Sequence, residues 1–312
     1  MKIAAAQIRP HWMNKQATLR KAIDTIEEAA RLGVELVVFP EAFLSGYPFW
    51  LCRTNAASFE DHLQSQAYAQ FIEAAVEADG PEITQLVEAA RDHKVSVFMG
   101  MNERGTAVGR GSIYCALLKI DAEQGLLGIH RKMTPTHDER LCWAPGDAQE
   151  LKTHKIGGFR VGGLCCWENW MPLARFTLYC GGEELHISIW PGNAVVAENI
   201  VASTAREGGV WSLSVHGLLS MSDVADDFVF KKQLIAEGYD LIFCGGSALY
   251  APGGAEVSAP AIGVEGLICH DIDLAEVYAA RHFLDITGHY HRADIFDLKL
   301  RGSRFTEASL RD

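Results

Sequence analysis

The chain alternates short apolar runs with stretches in which apolar residues recur every three or four positions. Lys2 to Ile8 (KIAAAQI) reads as a buried strand, and Gln16 to Arg31 as an amphipathic helix carrying Leu19, Ile23, Ile26 and Ala30 on one face. Gly33 ends that helix, and Val34 to Phe39 (VELVVF) forms a second buried strand, so this βαβ unit predicts parallel pairing. Phe71 to Val76 and Ile83 to Arg91 read as helical pieces. Further strands are expected over Val95 to Met101, Phe159 to Cys166, Leu185 to Trp190, Val210 to Val215, Leu241 to Cys244 and Glu265 to Asp271. Ile113 to Ile120 and Leu126 to Ile129 flank a turn and predict a hairpin, and Ala251-Pro252-Gly253-Gly254 predicts another tight turn. Helices follow from Pro172 to the Gly181-Gly182 stop, from about Val195 to Glu207, and from Asp273 to Ala280. Strands and helices in this alternation predict a layered α/β fold.

In such folds reactive groups gather beyond the carboxyl ends of strands. Three chemically distinct residues hold that position. Glu41 follows VELVVF and lies among apolar and aromatic neighbours, which should desolvate its carboxylate, raise its pKa and fit it for acid–base work. Lys132 follows the second hairpin strand in HRKMTPTHDER. Cys165 and Cys166 close the strand VGGLCC just before a helical pattern, where the positive end of a helix would favour thiolate. Taken singly, each has a plain structural explanation: a solvated carboxylate, a surface lysine, a packed cysteine. Together they make a proton handler, a cation and a nucleophile available at one edge of the fold.

Composition narrows the setting. The 312 residues are 48% hydrophobic and 22% charged, an ordinary globular balance, and no linker, repeat or low-complexity tract marks a boundary, so one domain over residues 1–312 is expected. A net charge of −12 opposes binding to a phosphate backbone or an anionic membrane. No apolar run reaches membrane-spanning length and the first residues do not read as a signal peptide, so a cytoplasmic protein with reduced thiols is expected. The eight cysteines form no CxxC pair, and His289 and His291 have no evident third partner, so neither metal nor cofactor is expected.

The residues VVFPEAFLSGYPFW, HRKMTPTHDER, GGLCCWENWMPLAR, ISIWPG, GGSALYAP and GHYHRADIFDL resemble, in this order, the carbon–nitrogen hydrolase superfamily, and most closely its true nitrilase branch. The resemblance covers nearly the whole chain and implies an αββα sandwich with mixed sheets. It implies a catalytic set of Glu41, Lys132, Cys166 and, in the HDER segment, Glu139. Motif position selects Cys166 over Cys165, and strand alternation agrees that only one of the two thiols faces the crevice. The implied reaction is hydrolysis of a small-molecule nitrile to a carboxylic acid and ammonia through thioimidate and thioester intermediates. Lys132 and the Trp167 N–H would stabilise the developing charge. Tyr47, Trp167, Glu168 and Trp190 are the expected substrate-facing residues, with Phe49, Trp50, Trp143 and Trp170 as further candidates for an aromatic wall. The segment from His216 to Phe228 matches poorly and is expected to line the entrance. The resemblance also implies a homodimer or higher homo-oligomer. Rival readings are an amidase of the same superfamily, a nitrile- or cyanide-hydrating enzyme that releases amide, and a catalytically silent scaffold of the same fold.

Overall fold

A computed structural model describes residues 1–106, 109–193 and 197–302. In chain order the first half comprises β1 (Lys2–Gln7), α1 (Lys15–Arg31), β2 (Leu36–Phe39), α2 (His62–Ala74), α3 (Pro81–His93), β3 (Ser96–Arg104), β4 (Ile113–Asp121) and β5 (Gly125–Arg131). The second half comprises β6 (His154–Ile156), β7 (Phe159–Cys165), α4 (Pro172–Cys180), β8 (Leu185–Trp190), α5 (Glu198–Gly208), β9 (Trp211–His216), β10 (Leu218–Ser220), α6 (Lys231–Ala236), β11 (Leu241–Tyr250), β12 (Glu256–Ile262), β13 (Gly266–Asp271) and α7 (Leu274–Arg281).

The strands form two mixed sheets. One runs β13-β1-β2-β3-β4-β5, and the other runs β10-β11-β9-β8-β7-β6 with β12 paired to β11. β1, β2 and β3 are parallel, as the βαβ pattern predicts, and β4–β5 is the expected antiparallel hairpin. Side chains alternate across each sheet. On β1, Ile3 and Ala5 enter the core between the sheets, while Ala4 and Ala6 pack outward with Leu19 and Ile26 of α1 and Leu86 of α3. On the far face of the second sheet, Leu164 packs with Ala174 and Leu178 of α4. Ile200 and Val201 of α5 pack with Trp190 and Ala248. The result is an αββα sandwich.

Several boundaries differ from the sequence reading. The helix expected at Phe71 begins at His62, because Asp61 caps it by accepting from the Leu63 and Gln64 N–H groups, a polar signal that periodicity does not register. The strand expected to end at Cys244 continues to Tyr250 as β11. The three-residue strands β6 and β10 are too short to show a periodicity, and β12 (EVSAPAI) is interrupted by Pro260. The helix expected from Val195 is α5, and residues 195 and 196 lie outside the described residues. β7 ends at Cys165, so Cys166 belongs to the 3-10 turn Cys166–Trp170 rather than to the strand.

Candidate active site

Three loops converge at the ends of β2, β5 and β7, and each is shaped by local chemistry. Glu41 follows β2 directly, and Ala42 beside it adopts a left-handed backbone (φ 53°). The loop lies flat on β3 because residue 100 is glycine: a Cβ there would come within 2.1 Å of the Pro40 carbonyl oxygen and 2.6 Å of the Glu41 Cα. Lys132 is fixed by its own N–H on the Cys115 carbonyl (2.8 Å) and by its carbonyl on the Gly146 N–H (2.9 Å). Glu139 is placed by a capping box. In Thr136-His137-Asp138-Glu139 the Thr136 hydroxyl takes the Glu139 N–H, and the Glu139 carboxylate takes the Thr136 N–H at 2.6 Å.

Cys166 itself sits at φ 49°, a left-handed conformation that side chains other than glycine adopt at a cost of order 1–3 kcal/mol. The surroundings hold it there. Glu168 accepts from the Cys165 N–H (3.0 Å), the Met133 N–H (2.7 Å) and His130 Nε2 (3.1 Å), so one carboxylate ties the cysteine turn to the lysine loop. Asn169 donates to the Cys166 carbonyl (2.8 Å) and accepts from His186 Nε2 (2.8 Å).

Side chains from the three loops meet in a buried cluster. Lys132 Nζ donates to Glu41 Oε1 at 3.0 Å and to Glu139 Oε2 at 2.7 Å, with all three side chains at most 3% exposed. The Tyr47 hydroxyl donates to Glu139 Oε1 at 2.8 Å. The Cys115 thiol donates to Glu41 Oε1 at 3.4 Å, while Glu41 Oε2 is buried with no hydrogen-bond partner. The Cys166 sulfur and one carboxylate oxygen each of Glu41 and Glu139 lie within 4.8 Å of one another. The Trp167 N–H donates to the Cys166 sulfur. Two carboxylates and a thiolate so close could ligate a cation, and so could the set Glu41, Cys115 and Cys165. The Lys132 ammonium already bridges the two carboxylates. His289 and His291 join no described cluster of three metal-ligating groups.

Electrostatics follow from burial and these contacts. Burial raises the Glu41 carboxyl to about 7, against the pull of Lys132 and with the push of Glu139. Burial alone would lower the Lys132 ammonium, but Glu41 and Glu139, and Cys166 when ionised, hold it well above the usual lysine value. The Cys166 thiol is pushed well above its ordinary range by burial and by Glu41, with Lys132 opposing. This reverses the expectation of a helix-stabilised thiolate: desolvation outweighs the short turn, and the resting sulfur keeps its proton.

A cavity of about 390 Å³ opens onto this cluster, with Glu139, Cys166, Trp167 and Trp190 in its lining. Tyr47 and Phe49 line it too, as the aromatic wall requires, whereas Trp50 and Trp143 belong to the core between the sheets and Trp170 is exposed elsewhere. Glu168 is 1% exposed, is absent from the lining, and is engaged by the three donors named above, so it sits behind the nucleophile rather than before it. Cys165 is fully buried between the sheets. The segment from His216 to Phe228 is likewise absent from the lining: His216 stacks on Trp190, and Phe228 packs edge-on against Trp12. Phe243 of β11, Arg53 and Asn193 line the cavity instead and carried no sequence signal, since each is brought in by tertiary packing alone. The signal that could have placed Glu139 is its T-x-x-E capping box.

A buried thiol, a desolvated carboxylate and a locked ammonium at one cavity define a cysteine-dependent hydrolase acting on an electrophilic carbon. The Carbon-nitrogen hydrolase family pattern matches residues 2–282, and the chain belongs to that family, as a hydrolase of carbon–nitrogen bonds. It is 35% identical to a nitrilase of Paraburkholderia phymatum, over 96% of this chain and 86% of that one. It is 31% identical to an aliphatic nitrilase of Rhodococcus rhodochrous, over 95% and 81% of the two chains. Among solved structures, a branch 10 nitrilase-superfamily member from Saccharomyces cerevisiae shares the fold with TM-score 0.71 and 19% identity, over 94% of this chain and 97% of that one. An amidase from Nesterenkonia sp. does so with TM-score 0.65 and 19% identity, over 91% and 94%. Among the described residues no helix is long and apolar enough to cross a membrane.

Proposed function

We propose that this hydrolase is a nitrilase, converting an organic nitrile to its carboxylic acid and ammonia, with Glu41, Lys132, Cys166 and Glu139 as the catalytic set. The observation that carries the reading is that the Cys166 sulfur lies within 4.8 Å of an oxygen of each of the two carboxylates, Glu41 and Glu139, that Lys132 bridges. Because Glu41 titrates near 7 and the thiol well above it, the carboxylate acts as a general base during attack rather than meeting a preformed thiolate.

Glu41 takes the Cys166 proton through its free Oε2 as sulfur bonds to the nitrile carbon. Charge developing on nitrogen is met by Lys132 and the Trp167 N–H, and Glu41 passes the thiol proton to that nitrogen, which gives a neutral thioimidate and frees the carboxylate. Water gives a proton to Glu41 and adds to the same carbon. Glu41 passes that proton to the nitrogen, which becomes an amine; it then carries the new hydroxyl's proton to the amine, so that ammonia leaves and a thioester remains. A second water, activated the same way, releases the acid and returns the proton to sulfur. Glu139 holds Lys132 in place. No metal or organic cofactor takes part in these steps.

The names of the relatives at 31–35% identity support a nitrile over an amide. Exposed Trp170, Met171, Leu173, Phe283 and Phe296 support a homodimer or larger assembly, which size-exclusion chromatography tests. We also retain a cytoplasmic location and one domain spanning residues 1–312. The functional experiment is a product assay on matched nitriles and amides, with Cys166→Ala as the blank. Acid and ammonia from nitriles, with amides nearly inert, is the expected result. Turnover of amides alone would move the chain to the amidase side of its family.

A further inference from the structure

The cavity beside the catalytic cluster carries groups of opposite charge in its lining. Glu139 lines it together with Cys166, and behind Glu139 the Lys132 ammonium bridges to Glu41. Elsewhere in its lining stands Arg53, the last residue of the 3-10 turn Leu51–Arg53. The Arg53 guanidinium lies over the Tyr239 ring, 4.1 Å from its centroid, and reaches the Cys52 sulfur. Among the described residues no carboxylate oxygen lies within 4.0 Å of it, although Asp138 lines the same cavity. Asp138 faces His137 instead, at 3.4 Å. Arg53 is partly exposed, and a guanidinium has five N–H donors, of which the Cys52 contact engages only part. Asn193 also lines this cavity. Its Oδ1 takes the Cys244 thiol at 3.6 Å, which leaves its amide N–H groups as donors.

We propose that Arg53 is an anion subsite, and that the preferred substrates are compounds with a carboxylate at the end remote from the reacting carbon. This rests on the hydrolase reading above and names the substrate class for that site. A stacked guanidinium is held in one plane and offers paired donors that match a carboxylate. The lining gives direction: Glu139, which stands with Cys166 in the lining, repels a carboxylate and Arg53 draws it, so the neutral nitrile is left facing Cys166. A cyanoalkanoate therefore enters in one orientation, and its product is a dicarboxylate.

The test compares 4-cyanobutanoate with pentanenitrile, a neutral nitrile of the same alkyl length, in the full chain and in Arg53→Gln and Arg53→Lys. The expected result is a kcat/KM preference for the cyanoalkanoate of about tenfold or more, the size of a charge-assisted hydrogen bond. Arg53→Gln should remove that preference, mostly through KM, and Arg53→Lys should keep part of it. High salt should weaken the preference in the unmodified chain. Equal use of both nitriles, or a preference that survives Arg53→Gln, overturns the subsite and leaves the nitrilase reading standing. If only amides are turned over, the nitrilase reading fails, and the same comparison with glutaramate and pentanamide decides the subsite. An arm that needs no turnover is protection of Cys166 from iodoacetamide. Glutarate should protect at a concentration about tenfold lower in the unmodified chain than in Arg53→Gln, and equal protection overturns the subsite.

Discussion

Cys115 donates its thiol to the same oxygen of Glu41 that Lys132 holds, Oε1, and so leaves Oε2 as the oxygen without a partner. One carboxylate is thereby divided into an anchored half and a working half. Titratable and charged groups face Glu41 from every side: Lys132 and Glu139 from the loop after β5, Cys115 from β4, Cys165 and Cys166 from β7 and its turn, and Tyr47 from its own loop.

The pH profile should report this carboxylate. Glu41 must be ionised to accept the thiol proton, so kcat/KM should rise with pH through a midpoint near 7. The Cys115 bond lowers the Glu41 pKa, so Cys115→Ala should move that limb to higher pH and reduce turnover, and Cys115→Ser should restore much of both. A profile unchanged in Cys115→Ala would show that the thiol does not position the base.

Lys132 is 1% exposed, and its removal strands two carboxylates in a buried site. Lys132→Met should cost about 3–5 kcal/mol of stability and about 10²–10³ in turnover. The stability loss should depend on pH. Glu41 keeps its proton to about pH 7 in the folded chain but only to about 4.5 when unfolded, so folding is favoured by low pH and opposed as pH rises through that window. Without the ammonium Glu41 holds its proton still higher, so the Tm deficit of Lys132→Met should be smaller at pH 5.5 than at pH 8. A deficit independent of pH would contradict the cluster electrostatics.

The strand end at Phe39 was legible because its apolar run stops at Pro40, whereas the run Leu126 to Ile129 stops two residues before the end of β5 at Arg131; Glu41 and Lys132 lie just beyond the two strands. Cys166 was legible as a position, but not its protonation state. That depends on burial by Trp190 and α5, which come from later in the chain. Glu168, expected to face the substrate, lies behind the nucleophile. Its role as a clamp is set by His130 and Met133, more than thirty residues away, and proximity along the chain says nothing of that. Arg53 and Phe243 reach the cavity only through packing, as noted above.

Glu168→Gln tests the clamp. It keeps the side-chain volume but replaces one acceptor oxygen with an NH₂ group, which faces the Met133 N–H or the Cys165 N–H. Turnover should fall by about tenfold or more, and stability by about 1–3 kcal/mol, as a buried donor loses its partner. Full activity with unchanged Tm would show that the cysteine turn does not need this carboxylate.

Gly100→Ala tests how the base is seated. The added methyl would lie 2.1 Å from the Pro40 carbonyl oxygen, so the loop carrying Glu41 must move. A stability loss of about 1–3 kcal/mol is expected, together with a fall in kcat larger than the change in KM. Crystal or solution data showing Glu41 in place and turnover intact would contradict it.

The most direct test is product analysis with three proteins: the unmodified chain, Cys166→Ala and Cys165→Ala, each given phenylacetonitrile, a short aliphatic dinitrile, a cyanoalkanoate and the matching amides. Acid and ammonia from nitriles should appear with the unmodified chain and persist largely in Cys165→Ala, whose sulfur is fully buried between the sheets. They should vanish in Cys166→Ala. Nitrile hydrolysis that survives in Cys166→Ala but is lost in Cys165→Ala would contradict the assignment of the nucleophile on which the account rests.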